Sequence, residues 1–247
     1  MPQPSYYSPY RQRTSTLPLR KYGREGVNSS MTMYRRPKQL TKSSLSKVVR
    51  SMQPTKHFNN APTQIGLIQD TYYSLNITGG IVQGNGDAQR DGDEIYLNSL
   101  TLTGLVNTAS TAGAYSYRII VGYSGEEYNY TTNFSSSGIS TTEIFLPNTY
   151  GSGGTQWNQN GIINPKAFTV LHDKKITCNS QIAGVADLAN FSYSIPLNSK
   201  FVYQQAGSQL GKTRNLFVIL LGAVVGGVPF VNGVGTCLLS YDLSFKS

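Results

Sequence analysis

The sequence predicts an all-β protein, a single eight-stranded jelly-roll sandwich preceded by a disordered basic N-terminal arm with a short helix. Three observations support this prediction. Positive charge is concentrated in the first 56 residues. From residue 65 onwards the hydrophobic pattern has a period of two, with turn residues at regular intervals. No helical segments alternate with these strands, which favours a two-sheet sandwich over an α/β fold.

Residues 1–56 form the predicted arm and residues 57–247 the predicted jelly-roll domain. The arm holds twelve Lys or Arg and a single acid, Glu25, whereas the body holds nine bases and eleven acids. Residues 1–39 are rich in Pro, Ser, Tyr and Arg without clear periodicity, so we expect them to be disordered. Cationic segments bind phosphates, and interleaved tyrosines can stack on unpaired bases. The residues that we expect to contact nucleic acid are Arg11, Arg13, Arg20, Lys21, Arg24, Arg35, Arg36, Lys38, Lys42, Lys47 and Arg50.

A short helix is predicted at about residues 40–52, near the end of the arm. Its apolar residues fall close to helical spacing: Leu40, Leu45, Val48, Val49 and Met52. This helix is either a solvated linker or a helix that docks beneath the body and presents its bases to nucleic acid. The arm can also be interpreted as a solubility or nuclear-localisation tail, since the run Arg35–Lys38 reads RRPK.

Eight strands are predicted in the body from alternation and turn spacing: Thr71–Thr78, Glu94–Val106, Tyr115–Tyr123, Ala167–Lys174, Asn190–Ile195, Phe201–Gln205, Asn215–Gly222 and Thr236–Phe245. In the second strand the apolar positions change from odd to even, which predicts a β-bulge near Asn98–Ser99. Two long connections, Ser124–Phe145 and Pro147–Lys166, are rich in Gly, Ser, Thr, Asn and Tyr. Long loops at strand ends are where such a sandwich places its contacts.

The sequence contains no pattern typical of a catalytic site, so we expect no enzyme activity, no catalytic residue and no cofactor. The segment Gly207–Thr213 ends in GKT, but Ala206 stands where a phosphate-binding loop needs Gly, and a strand follows instead of a helix. The two His residues and two Cys residues fit no zinc spacing. We expect Cys178 and Cys237 to be buried free thiols.

Two further features have competing interpretations. The acids Asp87, Asp91, Asp93 and Glu94 lie close enough in sequence for a calcium site, although they do not have EF-hand spacing. They can equally be loop acids that improve solubility or meet a neighbour's bases. The apolar run Leu216–Val231 is interrupted by three Gly and a Pro, so we interpret it as a buried strand with its turn and expect no membrane partner.

Several stretches of the body resemble motifs of one viral family. They are the strand start in Gly84–Gly104, the strand Tyr117–Tyr123 with its Arg, the strand Phe168–Lys175, the closing half from Ile195 to Tyr203 with Asn215–Leu221, and the final Leu239–Phe245. Ser51–Phe58 is similar to a segment that precedes the core. These stretches resemble the capsid proteins of circular, Rep-encoding single-stranded DNA viruses, which are circovirus-like.

The resemblance implies a jelly roll that self-assembles into a small T=1 icosahedral shell of sixty copies, with the basic arm facing inwards. We expect sheet edges and the long loops to join neighbouring copies. The resemblance also implies a single-stranded circular DNA genome, packaging in the host nucleus with the possible help of import machinery, and a location in the virion. Small and satellite RNA viruses use a similar plan, so RNA stays open as the genome. A non-viral nucleic-acid-binding β-domain and a carbohydrate-binding or hydrolytic jelly roll also stay open as interpretations of the fold.

Overall fold

Eight β-strands and one α-helix make up the described part of the chain. The computed structural model of the protein describes residues 42–67, 72–108, 113–125, 145–146, 161–180, 186–205, 207–225 and 234–247. The elements are α1 (Lys42–Met52), β1 (Lys56–Leu67), β2 (Tyr72–Asn76), β3 (Glu94–Thr108), β4 (Gly113–Ser124), β5 (Phe168–Ser180), β6 (Leu188–Val202), β7 (Leu216–Val225) and β8 (Gly235–Lys246). The predicted disorder of residues 1–39 and most of the two long connections lie outside the described residues. The predicted division between residues 56 and 57 stays a prediction.

The strands form two antiparallel four-stranded sheets with the connectivity of a jelly roll. One sheet has the order β1-β8-β3-β6 and the other β2-β7-β4-β5. Four pairs are nested in the chain, because β4 pairs with β5, β3 with β6, β2 with β7 and β1 with β8. Rolling up this nested ribbon brings β8 beside β3 and β7 beside β4. Eight strands connected in this way define the jelly-roll sandwich, so the predicted fold class is confirmed.

The strand predictions are confirmed for most elements and wrong for two. Strand β1 was not predicted, since its first nine residues carry few apolar side chains and include Pro62. Strand β6 is continuous, whereas the sequence indicated two strands with a break at about residues 196–200. The short helix is confirmed as α1, and the predicted bulge is confirmed by a register shift between Leu97 and Ser99 against both neighbouring strands.

The main core lies between the two sheets. Strand β8 supplies one side chain from every second residue, and all five are buried: Cys237, Leu239, Tyr241, Leu243 and Phe245. This regular alternation is what a strand with one face on a core requires. Full burial of each large apolar side chain contributes roughly 1.5–3 kcal/mol. Both cysteines are buried free thiols, as predicted.

A second apolar cluster covers the outer face of the β2-β7-β4-β5 sheet. Strand β7 points Phe217, Ile219 and Leu221 into this cluster, while its intervening residues enter the main core. Phe145 and Ile163, from segments that precede β5, pack over the same face. The apolar run beginning at Leu216 is therefore a strand buried on both faces, as predicted, and its residues beyond 225 lie outside the described part. Among the described residues no helix is both long enough and apolar enough to cross a membrane.

Candidate nucleic-acid interface

The predicted nucleic-acid-binding residues divide between two parts of the chain. Eight of them precede residue 42 and lie outside the described residues: Arg11, Arg13, Arg20, Lys21, Arg24, Arg35, Arg36 and Lys38. The other three, Lys42, Lys47 and Arg50, lie on α1. Lys42 and Lys47 are exposed and Arg50 is half-buried. The sequence-predicted cations that can be placed therefore belong to one helix, which stands next to the body.

Helix α1 contacts the body through its last turn. The Nζ of Lys246 donates a hydrogen bond of 3.0 Å to the backbone oxygen of Arg50. The Arg50 guanidinium carbon lies 4.0 Å from the centre of the Tyr96 ring, a cation–π contact. A lysine at the C-terminal end of a helix also interacts favourably with the unsatisfied carbonyls and the helix dipole. No side chain of the helix is buried, so these polar contacts fix its position.

The face that α1 approaches is the outer face of the β1-β8-β3-β6 sheet. Tyr96 lies directly opposite Lys200 of β6 and opposite Lys246 of β8, so the three side chains form one row across the sheet. Further along β3, Thr101 and Thr103 occupy this face, and Thr103 shares a hydrogen bond of 2.7 Å with Ser240. The face is thus rich in hydroxyl groups, with a cationic row at one end.

Three of the four loop acids that suggested a calcium site, Asp91, Asp93 and Glu94, each pair with a different base. Asp91 accepts a hydrogen bond of 2.6 Å from Lys56, and the hydrogen bonds from Lys56 and Ser247 lower the pKa of Asp91. Asp93 contacts Arg90 at 3.2 Å, and Glu94 contacts Lys200 at 2.7 Å. The described residues contain no group of three or more His, Cys, Asp or Glu side chains that could hold a metal. Of these pairs, Asp91 with Lys56 joins loop residues 81–93 to β1, Asp93 with Arg90 lies within the loop, and Glu94 with Lys200 joins β3 to β6.

Arg90 organises the end of this loop; it belongs to the strand start quoted for the resemblance, but its structural role was not predicted from the sequence. Its side chain is fully buried, with the guanidinium carbon 3.8 Å from the centre of the Tyr203 ring. It donates hydrogen bonds to the backbone oxygens of Gly92 at 2.6 Å and Ser208 at 2.9 Å. A buried Arg that satisfies carbonyls of two loops has a structural role and is not accessible to a polyanion.

A second cationic feature lies where β4 and β6 end. The guanidinium carbon of Arg214 is 4.1 Å from the centre of the Tyr123 ring, and its Nη2 donates a 3.3 Å hydrogen bond to the backbone oxygen of Lys200. Tyr123 Oη is hydrogen-bonded to Ser199 at 2.7 Å. The GKT segment precedes this arginine, and the strand β7 follows it, so the helix that a phosphate-binding loop requires is not present there.

The described thiols and imidazoles are not arranged for nucleophilic chemistry. Burial raises the pKa of the Cys237 thiol to about 12 and also raises the pKa of Cys178, so both thiols are protonated at neutral pH. Burial lowers the pKa of His172, whose ring packs on Tyr193 with centroids 4.4 Å apart. His57 instead contacts Asp242 at 3.1 Å on the sheet surface.

No protein-family model and no curated protein matches the sequence. Among solved structures, the chain is similar to infectious bursal disease virus VP2 in a subviral particle, with 12% identity and a TM-score of 0.28 over 74% of this chain and 32% of that one. It is also similar to the T=3 Penaeus vannamei nodavirus, with 10% identity and a TM-score of 0.31 over 98% of this chain and 63% of that one. The chain therefore spans less than two thirds of both viral chains. Likeness at this level carries no functional argument, and the fold assignment depends on the strand order.

Proposed function

We propose that this protein is a structural viral capsid protein that self-assembles into a closed icosahedral shell and packages a single-stranded nucleic-acid genome through its basic arm. One observation carries the proposal: a jelly roll with nested strand pairing is joined to an arm with a formal charge of +11. Such an arm neutralises phosphates and releases their counterions. A jelly roll is a compact unit that repeats well in closed symmetry.

The two outer faces of the sandwich support an orientation for the subunit. The hydroxyl-rich face of the β1-β8-β3-β6 sheet receives α1, which continues directly from the basic arm. The opposite outer face is covered by Phe145, Ile163 and Phe168, which border the two long connections. We therefore assign the face bearing α1 to the genome side and the covered face, with its loops, to the exterior.

Contacts between copies are assigned to loops and α1 and not to pairing of sheet edges. Each edge strand has a feature that opposes strand addition. Strand β1 carries Pro62 and a register shift, β6 carries Pro196, β5 carries Lys174 and Lys175, and β2 has only five residues. The expectation from the sequence that sheet edges join neighbours is therefore replaced by contacts through the loops.

Helix α1 presents an apolar stripe that the described part of the body leaves uncovered. Leu45, Val48, Val49 and Met52 are 46%, 47%, 58% and 80% exposed. These residues share one face of the helix, and Lys47 and Arg50 lie on the other face. We assign this stripe to a second copy of the chain, because a repeated shell buries the same patch in every subunit.

The finer parts of the proposal come from the resemblance to circovirus-like capsid proteins. They are a T=1 shell of sixty copies, a single-stranded circular DNA genome, and assembly in the host nucleus. The run Arg35–Lys38 supports nuclear import. The RNA-virus alternative differs only in the genome, and the chain would be a structural protein without enzymatic activity in either case.

The test of assembly is size-exclusion chromatography and negative-stain electron microscopy of the purified full-length chain over a range of salt concentrations. We expect closed particles of uniform diameter, and a diameter matching sixty subunits supports T=1. A chain that stays monomeric at high concentration and in the presence of nucleic acid would contradict the capsid role and favour a nucleic-acid-binding module. Competition between circular single-stranded DNA and RNA of equal length, followed by sequencing of the nuclease-protected fraction, distinguishes the two genomes.

Deletion of residues 1–39 is expected to leave the body folded and to remove nucleic acid from the particles. The expected result is a fall in the 260/280 nm absorbance ratio to that of protein alone. The logarithm of the binding constant for single-stranded nucleic acid should also depend less steeply on the logarithm of salt concentration. The slope should fall by up to about 5.6, since the deletion removes eight Lys or Arg and each neutralised phosphate of a single strand contributes about 0.7.

A full-length variant with a shuffled arm of the same composition provides the matched control. We expect it to package as well as the native chain, because the arm acts through charge and not through sequence. An unchanged absorbance ratio after the deletion would contradict the packaging role of the arm.

A further inference from the structure

We propose that the body carries a second binding site for single-stranded nucleic acid, separate from the arm, in two adjacent clefts that share Lys200. The site places two arginine–tyrosine stacks on either side of one exposed lysine. This inference rests on the proposed function, since it identifies where the body itself would hold the packaged strand.

The first cleft lies on the outer face of the β1-β8-β3-β6 sheet, where α1 docks. Its volume is about 170 Å³, and its lining includes Arg50, Tyr96, Lys200 and Lys246. The acid in the lining is Glu94, which pairs with Lys200 at 2.7 Å, but both side chains are more than half exposed. An exposed pair of this kind is weak and exchanges readily for a phosphate contact. The cleft therefore retains a net positive charge.

The second cleft lies where β4 and β6 end and has a volume of about 330 Å³. Its lining includes Tyr123, Lys200, Thr213 and Arg214, and it contains two bases and no acid. Arg214 is held by stacking on Tyr123 and by its hydrogen bond to the Lys200 backbone oxygen. Its position is thus fixed before any ligand arrives, which lowers the entropy lost on binding.

The chemistry of the two clefts matches a nucleotide chain better than a simple anion. A guanidinium placed over a tyrosine ring is a planar, charged group beside which a base can stack. Lys200, at the junction of the clefts, provides a compact positive charge for the phosphate between two nucleotides. A sulfated polysaccharide would offer anions to the lysine but no aromatic bases to the two stacks.

The neighbouring surface suits the same ligand. The rows beyond Tyr96 on the sheet carry hydroxyl groups, among them Thr101, Thr103 and Ser240, together with an acid, Asp242, which pairs with His57 at 3.1 Å. Hydroxyl groups of Ser and Thr are common partners of phosphate and sugar oxygens and read no base sequence. The binding that we infer is accordingly independent of sequence.

Photo-cross-linking of the full-length chain to a 12-nucleotide single strand containing 5-iodouracil tests the inference directly. We expect mass spectrometry to find cross-linked peptides from the start of β3, with Tyr96, and from the end of β4, with Tyr123, in addition to peptides of the arm. Cross-links confined to the arm would overturn the proposal. A soluble heparin fragment that displaces the arm cross-links but leaves those at Tyr96 and Tyr123 would further support a site that recognises bases.

A pair of lysine variants provides a matched comparison in the full-length chain. Lys200→Gln is expected to weaken binding about fourfold at 0.15 M salt and to reduce the salt slope by about 0.7, the contribution of one phosphate. Lys174→Gln removes the same charge from an exposed strand position that lines neither cleft, and it should leave both quantities nearly unchanged. Equal effects of the two variants would overturn the site.

The outcomes separate this inference from the proposed function. Particles that form and package nucleic acid without any cross-link at the two clefts would reject the body site alone. A chain that never assembles but cross-links at Tyr96 and Tyr123 would reject the capsid role and retain the site. Thermal unfolding of both lysine variants checks that the fold is intact, and we expect their midpoints to match that of the native chain.

Discussion

The outer faces of the two sheets differ in almost every physical respect. The β2-β7-β4-β5 sheet buries its outer face beneath an apolar cluster that includes Phe145, Phe168 and Phe217. The β1-β8-β3-β6 sheet carries hydroxyl groups on its outer face, and α1 contacts this face at the end that bears the cationic row. The apolar cluster thus forms a third layer on one side of the two-sheet sandwich.

The difference can be read from the strands themselves. Strand β7 is apolar at consecutive positions because both of its faces are buried, whereas β8 alternates apolar and polar residues because only one face is. The covered face also contains a partly buried ion pair: the buried Arg118 donates to both oxygens of the more exposed Asp173, at 2.8 Å and 2.6 Å, and to the Gly161 oxygen at 2.9 Å. The covered side therefore contributes to stability and the bare side is free to bind.

The largest expected effect comes from removing an aromatic ring from the covered face. Phe217→Ala should lower the free energy of unfolding by about 3–5 kcal/mol, because it leaves a cavity beneath Phe145 and Phe168. Thr103→Ala on the bare face should change it by less than about 0.5 kcal/mol. Urea unfolding monitored by fluorescence measures the free energy of unfolding of both variants. Similar losses of stability in Phe217→Ala and Thr103→Ala would mean that the two faces do not differ as described.

A smaller effect is expected from changing Arg118, the buried member of the ion pair with Asp173, while keeping its charge. Arg118→Lys keeps the positive charge but loses the planar fork that binds Asp173 and Gly161, so we expect a loss of about 1.5–3 kcal/mol. The control is Glu94→Gln, which breaks the exposed pair with Lys200 and should cost no more than about 1 kcal/mol. If the Arg118→Lys variant is as stable as the native chain, the guanidinium contacts with Asp173 and Gly161 do not stabilise the covered face.

The smallest expected effect is the pH dependence from His172. Burial lowers the pKa of His172, Lys174 lowers it further, and Asp173 opposes them. The unfolded chain then binds the proton more readily than the folded one, so stability should fall as the pH drops through the unfolded value of 6.5 towards the folded pKa. His172→Gln should flatten this part of the curve in urea unfolding between pH 5 and 8. If the His172→Gln variant shows the same dependence of unfolding free energy on pH as the native chain, groups other than His172 cause that dependence.

Much of the fold could be predicted from the sequence because its strands follow simple patterns. The alternation in β8 identified every core residue of that strand, and the change of phase in β3 located the bulge. Strand β1 was missed since its edge position leaves most of its side chains exposed, and its buried apolar residues are limited to Ile65 and Leu67 at its end. The break expected within β6 lies at Asn198, whose φ of 42° is left-handed and typical of a turn, although here the strand continues through it.

The site was less predictable than the fold. The charge of the arm was evident, but the contact of Arg50 with Tyr96 depends on where α1 meets the sheet. The pairing of Arg214 with Tyr123 joins two segments that are distant in sequence, and no local pattern encodes it. The separate pairing of Asp91, Asp93 and Glu94 with three bases likewise depends on tertiary structure.

The nested order of strand pairs has a consequence for how the chain folds. In the innermost pair, Ser124 lies opposite Phe168, whereas the outermost pair joins Leu67 to Gly235. Closing a longer loop loses more chain entropy. Strands β4 and β5 are therefore expected to pair early, and β1 is expected to pair with β8 last. A folding subunit would then pass through a stage in which one edge of β8 is unpaired. Strand β1, which directly follows the basic arm in the sequence, would be the last strand to pair.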